Sequence, residues 1–162
     1  MKKLIIIRHA KSDWEDISLD DFDRPLNDRG LSDAQLMGRF LNDKALNPDL
    51  IMCSPSLRTT KTAELIAIET GHEKIISRNQ YIYEAYVNTL QDIVSFIEDT
   101  NDTVFLIGHN PGVSALAYML CGLKESVPTC ATIEIDFDCD SWMEASKENS
   151  TLISYDFPKK FK

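Results

Sequence analysis

The sequence has no long hydrophobic run and little positive charge. Its 162 residues include 17 lysines and arginines against 26 aspartates and glutamates, which gives a formal net charge of −9. Nucleic acids and anionic membranes bind surfaces that are net basic, so we expect neither as a partner. The apolar run after Lys2 and Lys3 stops at Arg8, far short of the ~20 residues of a membrane span or the about 7–15 of a secretory signal. These absences predict a cytoplasmic protein.

The four cysteines lack the spacing of a metal site, because no C-x-x-C pair occurs. Cysteine-dependent phosphatases carry a C-x5-R motif, but only four residues separate Cys53 from Arg58 and Cys53 belongs to an apolar run. The segment Asp136–Lys147 begins like a calcium-binding loop, yet it lacks the glycine and the final glutamate that such a loop requires. We therefore predict no metal and no cofactor.

Hydrophobic patterning predicts an α/β protein, with residues 1–162 forming a single domain. Short continuous apolar runs at 3–8, 49–53 and 103–108 are typical of strands that are buried on both faces of a parallel sheet. Helical spacing follows each run, whereas residues 131–137 and 151–157 alternate apolar and polar as edge-like strands do. The predicted fold is a three-layer sandwich in which a mostly parallel sheet has helices on both faces and an antiparallel edge.

Helix ends are also marked in the sequence. Asn27 has the character of an N-cap for the first helix. Ser54 and Pro55 are typical of a cap and a first helical residue, and so are Asn110 and Pro111. These signals predict that three helices begin at one edge of the sheet.

Basic side chains follow all three predicted parallel strands. Arg8 and His9 follow the first strand, Arg58 the second and His109 the third. Ligands of open α/β sheets bind outside the carboxyl ends of the strands, so neighbouring strands would bring these four side chains together. Two guanidiniums, two imidazoles and nearby helix N-termini suit a tetrahedral dianion. A sulfate or carboxylate would satisfy the charge, but only a phosphoryl group gives a histidine an atom to attack.

Three segments carry a resemblance to a known family. Arg8–Ala10, Arg58 and Gly108–Gly112 resemble the signature of the histidine phosphatase (phosphoglycerate mutase-like) superfamily. Asp23–Gly30 and Ser54–Ala63 are similar to its SixA-like phosphohistidine phosphatase branch. The resemblance covers nearly the whole chain and implies the α/β fold of that family.

The resemblance also implies roles for individual residues. It makes His9 the nucleophile that accepts the phosphoryl group, and it makes Arg8, Arg58 and His109 the groups that hold the phosphoryl oxygens. Many members of the family have an asparagine near the position of Glu15 that helps to bind phosphate, so the chain departs from the family there.

The long connection after the first strand offers further candidates. Ser12 and Trp14 are predicted at the rim of the pocket, together with Asn110. The connection is also strongly acidic, and its carboxylates either form a solvated loop or repel unwanted anions. They are Asp13, Glu15, Asp16, Asp20, Asp21 and Asp23.

The expected reaction starts from a neutral His9, because nearby arginines disfavour its protonation. His109 could bind phosphate as an imidazolium or as a neutral N–H donor. Glu84 resembles by position the acid/base residue of the family, and a surface carboxylate is the alternative. An alkoxide leaving group needs such an acid more than an imidazole does.

Several functions remain open at this stage. The chain between Arg58 and His109 has no obvious segment for a lid, which favours a phosphohistidine on a protein over an enclosed metabolite. A phosphatase for small phosphoesters and a mutase are alternatives in the same superfamily. A phosphate-sensing binding module is the alternative outside enzymes. The expected partner is a phosphorylated protein or a small phosphorylated substrate.

Overall fold

The computed structural model of the protein describes all 162 residues and confirms the predicted α/β sandwich. The strands are β1 (Lys2–Arg8), β2 (Leu50–Cys53), β3 (Ser77–Arg78), β4 (Thr103–Gly108), β5 (Thr132–Phe137) and β6 (Ser150–Asp156). They form a single sheet in the order β3-β2-β4-β1-β5-β6, in which the first four strands are parallel to one another, β5 is antiparallel to β1, and β6 is antiparallel to β5. The helices are α1 (Asp28–Asp43), α2 (Leu57–Thr70), α3 (Val87–Ser95) and α4 (Gly112–Cys121).

Strand β1 is buried on both faces because its side chains alternate between two hydrophobic layers. Ile5 and Ile7 pack with residues of α1 and α2, whereas Leu4 and Ile6 pack with residues of α3 and α4. All four side chains are fully buried. At about 1.5–3 kcal/mol for each buried aliphatic side chain, this strand is a major contributor to the stability of the sheet. Its rigidity fixes the two polar residues that follow it.

Two of the predicted helix starts differ from the structure. Helix α2 begins at Leu57 with Ser56 at its N-cap, so the prediction that Ser54 and Pro55 start this helix is wrong. Helix α4 begins at Gly112, and Pro111 therefore precedes it. Asn27 was predicted correctly, since its side chain accepts a hydrogen bond of 2.8 Å from the Gly30 amide.

The sheet order brings the three basic junctions together. Strand β4 lies between β2 and β1 and is parallel to both, so Arg58, His109 and the Arg8-His9 pair follow neighbouring strands. The loop after β1 runs against α1 so closely that a Cβ atom on Gly30 would lie 2.1 Å from the Lys11 carbonyl oxygen. Only glycine allows this approach. No helix has the length and hydrophobicity needed to cross a membrane.

Candidate active site

A polar cleft of about 330 Å³ opens at the carboxyl edge of the parallel strands. It brings together all four basic residues predicted from the three junctions, and the three predicted rim residues also line it. Sequence reasoning missed four further lining residues. The whole lining consists of Arg8, His9, Lys11, Ser12, Trp14, Asp21, Arg24, Arg58, His109, Asn110 and Thr129.

His9 has one unprotonated ring nitrogen in the cleft. Its Nδ1 lies 2.7 Å from the Ala10 carbonyl oxygen, and because a carbonyl only accepts, Nδ1 carries the proton. The Nε2 atom is then unprotonated and faces Arg58, whose Nε lies 3.4 Å away. Burial, together with the charges of Arg58 and Arg8, lowers the pKa of His9 to about 4. The ring is therefore neutral near pH 7 and able to act as a nucleophile.

His109 has the opposite tautomer, and its partners determine this. Its Nδ1 lies 3.2 Å from Arg58 Nη2, which can only donate, so Nδ1 is an acceptor. The proton is then on Nε2, which donates to Ser54 Oγ at 2.8 Å and lies 3.3 Å from Thr59 Oγ1. Burial, together with the neighbouring His9 and Arg58, lowers the pKa of His109 to about 3. Of the two protonation states left open by the sequence, His109 therefore has the neutral one.

Ser54 and Thr59 were not identified from the sequence as parts of the site. Ser54 was interpreted as a helix cap, yet its hydroxyl accepts from His109 and from the Ser56 amide at 3.2 Å. Ser54 and Thr59 are both fully buried. They orient the ring of His109 and hold its proton on the nitrogen that faces away from Arg58.

Arg58 contacts both histidines and Asp21 in the cleft. Its guanidinium donates to His9 and His109 on one side and, on the other, to the backbone oxygen of Asp21 at 2.6 Å and to Asp21 Oδ2 at 3.0 Å. The contacts to the two histidines are long and point into the cleft. An oxyanion that entered the cleft could replace them, while Asp21 would keep the guanidinium plane in place.

Thr62 connects the nucleophile loop to helix α2. Its Oγ1 accepts a hydrogen bond of 3.0 Å from the Ala10 amide and donates one of 2.8 Å to the Arg58 carbonyl oxygen. The threonine is fully buried. One side chain therefore links the backbones that carry His9 and Arg58.

Arg8 lies at the other side of the cleft with unused hydrogen-bonding capacity. Its Nη1 donates to the Val127 carbonyl oxygen at 3.0 Å, and its buried Nε has no partner. Burial and the nearby Arg58 lower the pKa of Arg8, which is the expected effect of collecting like charges in one small volume. A dianion bound between the two guanidiniums would relieve this repulsion.

Asp21 is the unexpected member of the site. It belongs to the acidic loop, whose other carboxylates do not line the cleft, Glu15 included. Asp21 Oδ2 accepts from Tyr83 at 2.6 Å and from Arg58, and Oδ1 accepts from Arg24. Partial burial opposes ionisation, but these hydrogen bonds outweigh it and lower the pKa of Asp21 to about 2. The carboxylate is therefore charged at every physiological pH.

Glu84 does not reach the cleft. It is exposed, its backbone has a φ of +54°, and it borders a neighbouring depression of about 260 Å³ beyond His109 and Asn110. Its position agrees with the surface alternative for this carboxylate. A larger depression of about 420 Å³, between Tyr81 and Phe96, has no basic side chain in its lining and does not suit an anion.

Comparisons with known proteins agree with this geometry. The family model of the histidine phosphatase superfamily (branch 1) matches residues 4–81. An uncharacterized chloroplastic protein of Arabidopsis thaliana is 30% identical over 155 residues, which cover 89% of this chain and 70% of that protein. The chain belongs to the histidine phosphatase superfamily. This histidine phosphatase is accordingly a hydrolytic enzyme that acts on phosphorylated substrates.

Solved structures show the same fold for this histidine phosphatase. The protein histidine phosphatase SixA in complex with tungstate superposes with a TM-score of 0.84 at 19% identity, and 99% of each chain is covered. SixA from Agrobacterium tumefaciens superposes with a TM-score of 0.81 at 24% identity, and the match covers 95% of this chain and 96% of the other. The resemblance stated from the three sequence segments is confirmed.

The buried histidines of this histidine phosphatase make its stability depend on pH. The folded state keeps His9 neutral down to pH about 4, whereas an unfolded histidine takes up a proton near 6.5. Above pH 6.5 the ring does not reduce the free energy of unfolding, and this free energy falls as the pH decreases from 6.5 towards 4. At pH 5 we expect His9 to account for a loss of roughly 1–2 kcal/mol in the free energy of unfolding.

Urea unfolding at pH 7 and pH 5 measures this loss. The His9→Gln variant should lose less stability than the wild type over this interval, because glutamine does not titrate. Titrating groups whose pKa does not depend on His9 contribute to both proteins alike and cancel in the comparison. An equal loss in the two proteins would contradict a buried, neutral His9.

Proposed function

We propose that the protein hydrolyses phosphoramidates, and specifically phosphohistidine on a protein, through a covalent phosphohistidine intermediate on His9. The observation that carries this proposal is the absence of a usable carboxylic acid from the cleft lining. Asp21 is the one carboxyl group there, and its pKa of about 2 leaves it no proton to give. An alkoxide would leave such a site poorly, whereas an imidazole leaves without a protein acid.

In the proposed reaction His9 Nε2 attacks phosphorus while Nδ1 keeps its proton on the Ala10 carbonyl oxygen. Arg8 and Arg58 hold the equatorial oxygens, and their charges stabilise the transition state. His109 contributes a hydrogen bond once its Nδ1 takes up a proton, which the incoming dianion favours because it raises the basicity of the ring. Water then hydrolyses the phosphoenzyme. Catalysis of this kind consists mainly of positioning and charge stabilisation, and it requires no metal.

The surroundings of the cleft support a macromolecular substrate. The loop between β1 and α1 exposes hydrophobic side chains beside the opening: Trp14 is 63% exposed and Ile17 is 96% exposed, and Leu19 and Phe22 are partly exposed as well. Exposed apolar clusters next to a polar site are typical of protein-binding surfaces. No residue of the segment between α2 and β4 lines the cleft. A phosphorylated side chain that projects from a protein surface fits this arrangement better than a metabolite that must be enclosed.

A substrate panel tests the proposal. Multiple-turnover phosphate release is measured with a phosphohistidine protein, free phosphohistidine, phosphoserine, phosphothreonine and phosphotyrosine peptides, and small phosphoesters. We expect the phosphohistidine protein to have the highest kcat/KM, by at least about tenfold over the esters. Higher activity on a small phosphoester would favour the alternative phosphatase within the superfamily, and binding without turnover would favour a sensing module.

The Glu84→Gln variant belongs in the same panel. Because Glu84 lies outside the cleft, its phosphohistidine activity should stay within about threefold of the wild type. A loss of about 100-fold or more would place the proton donor at Glu84 and contradict a reaction that needs no protein acid.

A further inference from the structure

We propose that Asp21 makes the cleft selective for phosphoryl groups whose leaving group is a cationic nitrogen base, and disfavours phosphate monoesters. This inference rests on the proposed function and assigns its substrate preference to one side chain. Asp21 is a selectivity residue here, because it faces the leaving group and forms no bond to phosphorus.

The first argument is the position of Asp21 between the floor and the opening of the cleft. His9 and His109 form the floor and are 7% and 9% exposed, whereas the side chain of Asp21 is 42% exposed. An in-line attack by His9 directs the leaving group away from the floor and towards solvent. The leaving group therefore passes the level at which Asp21 is found.

The second argument is that Asp21 stays in place and stays charged. Tyr83, Arg24 and Arg58 hold it from three directions. If a phosphoryl group draws the guanidinium of Arg58 inwards, the two other contacts remain. The negative charge is then a fixed feature of the opening, in contrast to the mobile carboxylates of an exposed loop.

The third argument is the charge balance of the reaction. In protonated phosphohistidine the bond from phosphorus to the substrate nitrogen breaks, its electron pair goes to that nitrogen, and a neutral imidazole leaves. The bond from His9 Nε2 to phosphorus forms at the same time, and the positive charge moves to the ring of His9. A carboxylate stabilises the cation on either ring. With a monoester the departing oxygen becomes negative, and the same carboxylate repels it.

Arg24 is a further charged residue beside Asp21 in the cleft. Its side chain is buried, with 9% exposure. Its guanidinium stacks over Trp14, with Cζ 3.3 Å from the ring centroid, and forms an ion pair with Asp21. Without Asp21 the charged side chains of the cleft lining would all be cations, namely Arg8, Arg24, Arg58 and Lys11. Such a lining would bind any phosphate dianion. Asp21 reduces that general attraction at the side from which substrate enters.

The test compares the wild type with Asp21→Asn on free phosphohistidine and phenyl phosphate. Asparagine keeps an oxygen that accepts from Tyr83 and Arg58 but removes the charge. We expect the ratio of kcat/KM for phosphohistidine over phenyl phosphate to fall about tenfold in this variant. Inorganic phosphate should also inhibit Asp21→Asn more strongly than the wild type, because one repulsive charge is gone. The matched control is Asp20→Asn, which removes the same charge from an exposed neighbour and should leave the ratio unchanged.

Two results would overturn the inference. An equal fall in kcat/KM for both substrates would mean that Asp21 only positions Arg58, and unchanged kcat/KM values for both would mean that its charge does not select. The proposed function fails separately, when the wild-type enzyme itself prefers the monoester, and that result removes the basis of the inference as well. Because direct binding of inorganic phosphate, followed by calorimetry, does not require turnover, it shows whether the variant still has a folded cleft.

Discussion

His9→Ala should abolish turnover, with a loss in kcat of at least about 10³-fold on any phosphorylated substrate. The variant removes the imidazole whose Nε2 lone pair faces Arg58 while its Nδ1 proton is held by the Ala10 carbonyl oxygen. Alanine can neither attack phosphorus nor carry the phosphoryl group. The measurement is phosphate release under multiple-turnover conditions.

The same variant separates covalent catalysis from simple water attack. Brief incubation of the wild type with a 32P-labelled phosphoramidate should leave an acid-labile, alkali-stable label on the protein, and His9→Ala should show none. His72→Ala is the matched control, since that histidine lies outside the cleft and has its Nδ1 3.1 Å from the Pro48 carbonyl oxygen. Retained activity in His9→Ala, or labelling that persists in it, would refute the nucleophile assignment.

Arg58→Ala has the second-largest expected effect, a loss in kcat/KM of at least about 10³-fold. Arg58 alone contacts both histidines and Asp21, so alanine removes a charge from the transition state and also releases the orientation of the cleft. It further leaves the carboxylate of Asp21 facing the anion without its main counter-charge. We expect the damage to exceed that of any other single arginine substitution in the cleft.

Arg58→Lys refines this prediction because it keeps the charge. Lysine offers one point charge and cannot span His109 and Asp21 at once, so most of the loss should remain. The control is Arg39→Ala on the exposed face of α1, where the guanidinium lies 3.7 Å from Glu69 and far from the cleft lining. Near wild-type activity in Arg58→Lys would show that charge alone, without the geometry of the guanidinium, is sufficient.

The framework of the site could be predicted because strong local signals determine it. A short, continuous apolar run such as Leu4–Ile7 is typical of a strand that is buried on both faces of a parallel sheet. The residues that follow such a strand lie at the carboxyl edge of the sheet. Arg8, His9, Arg58 and His109 were therefore placed correctly from spacing alone. The cap signal of Asn27 was equally local and equally reliable.

The remaining parts of the site depend on contacts between distant segments, which local patterns do not encode. Asp21 looks like its acidic neighbours until Tyr83 and Arg58, 62 and 37 residues further on, close around it. Serine is a residue type that often caps helices, and Ser54 becomes a hydrogen-bond partner of His109 only because β4 packs beside β2. For Glu84 the sequence left an acid/base role and a surface carboxylate open, and the structure places its exposed side chain in a neighbouring depression outside the cleft lining.

The hydrogen bonds of Thr62 have a consequence for the size of the oxyanion that fits the cleft. The threonine lies in the second turn of α2, and its two hydrogen bonds fix the spacing between the backbones that carry His9 and Arg58. Thermal motion of the surrounding loops would leave that spacing nearly constant. The width available to an oxyanion is thus controlled by one side chain that is shielded from solvent.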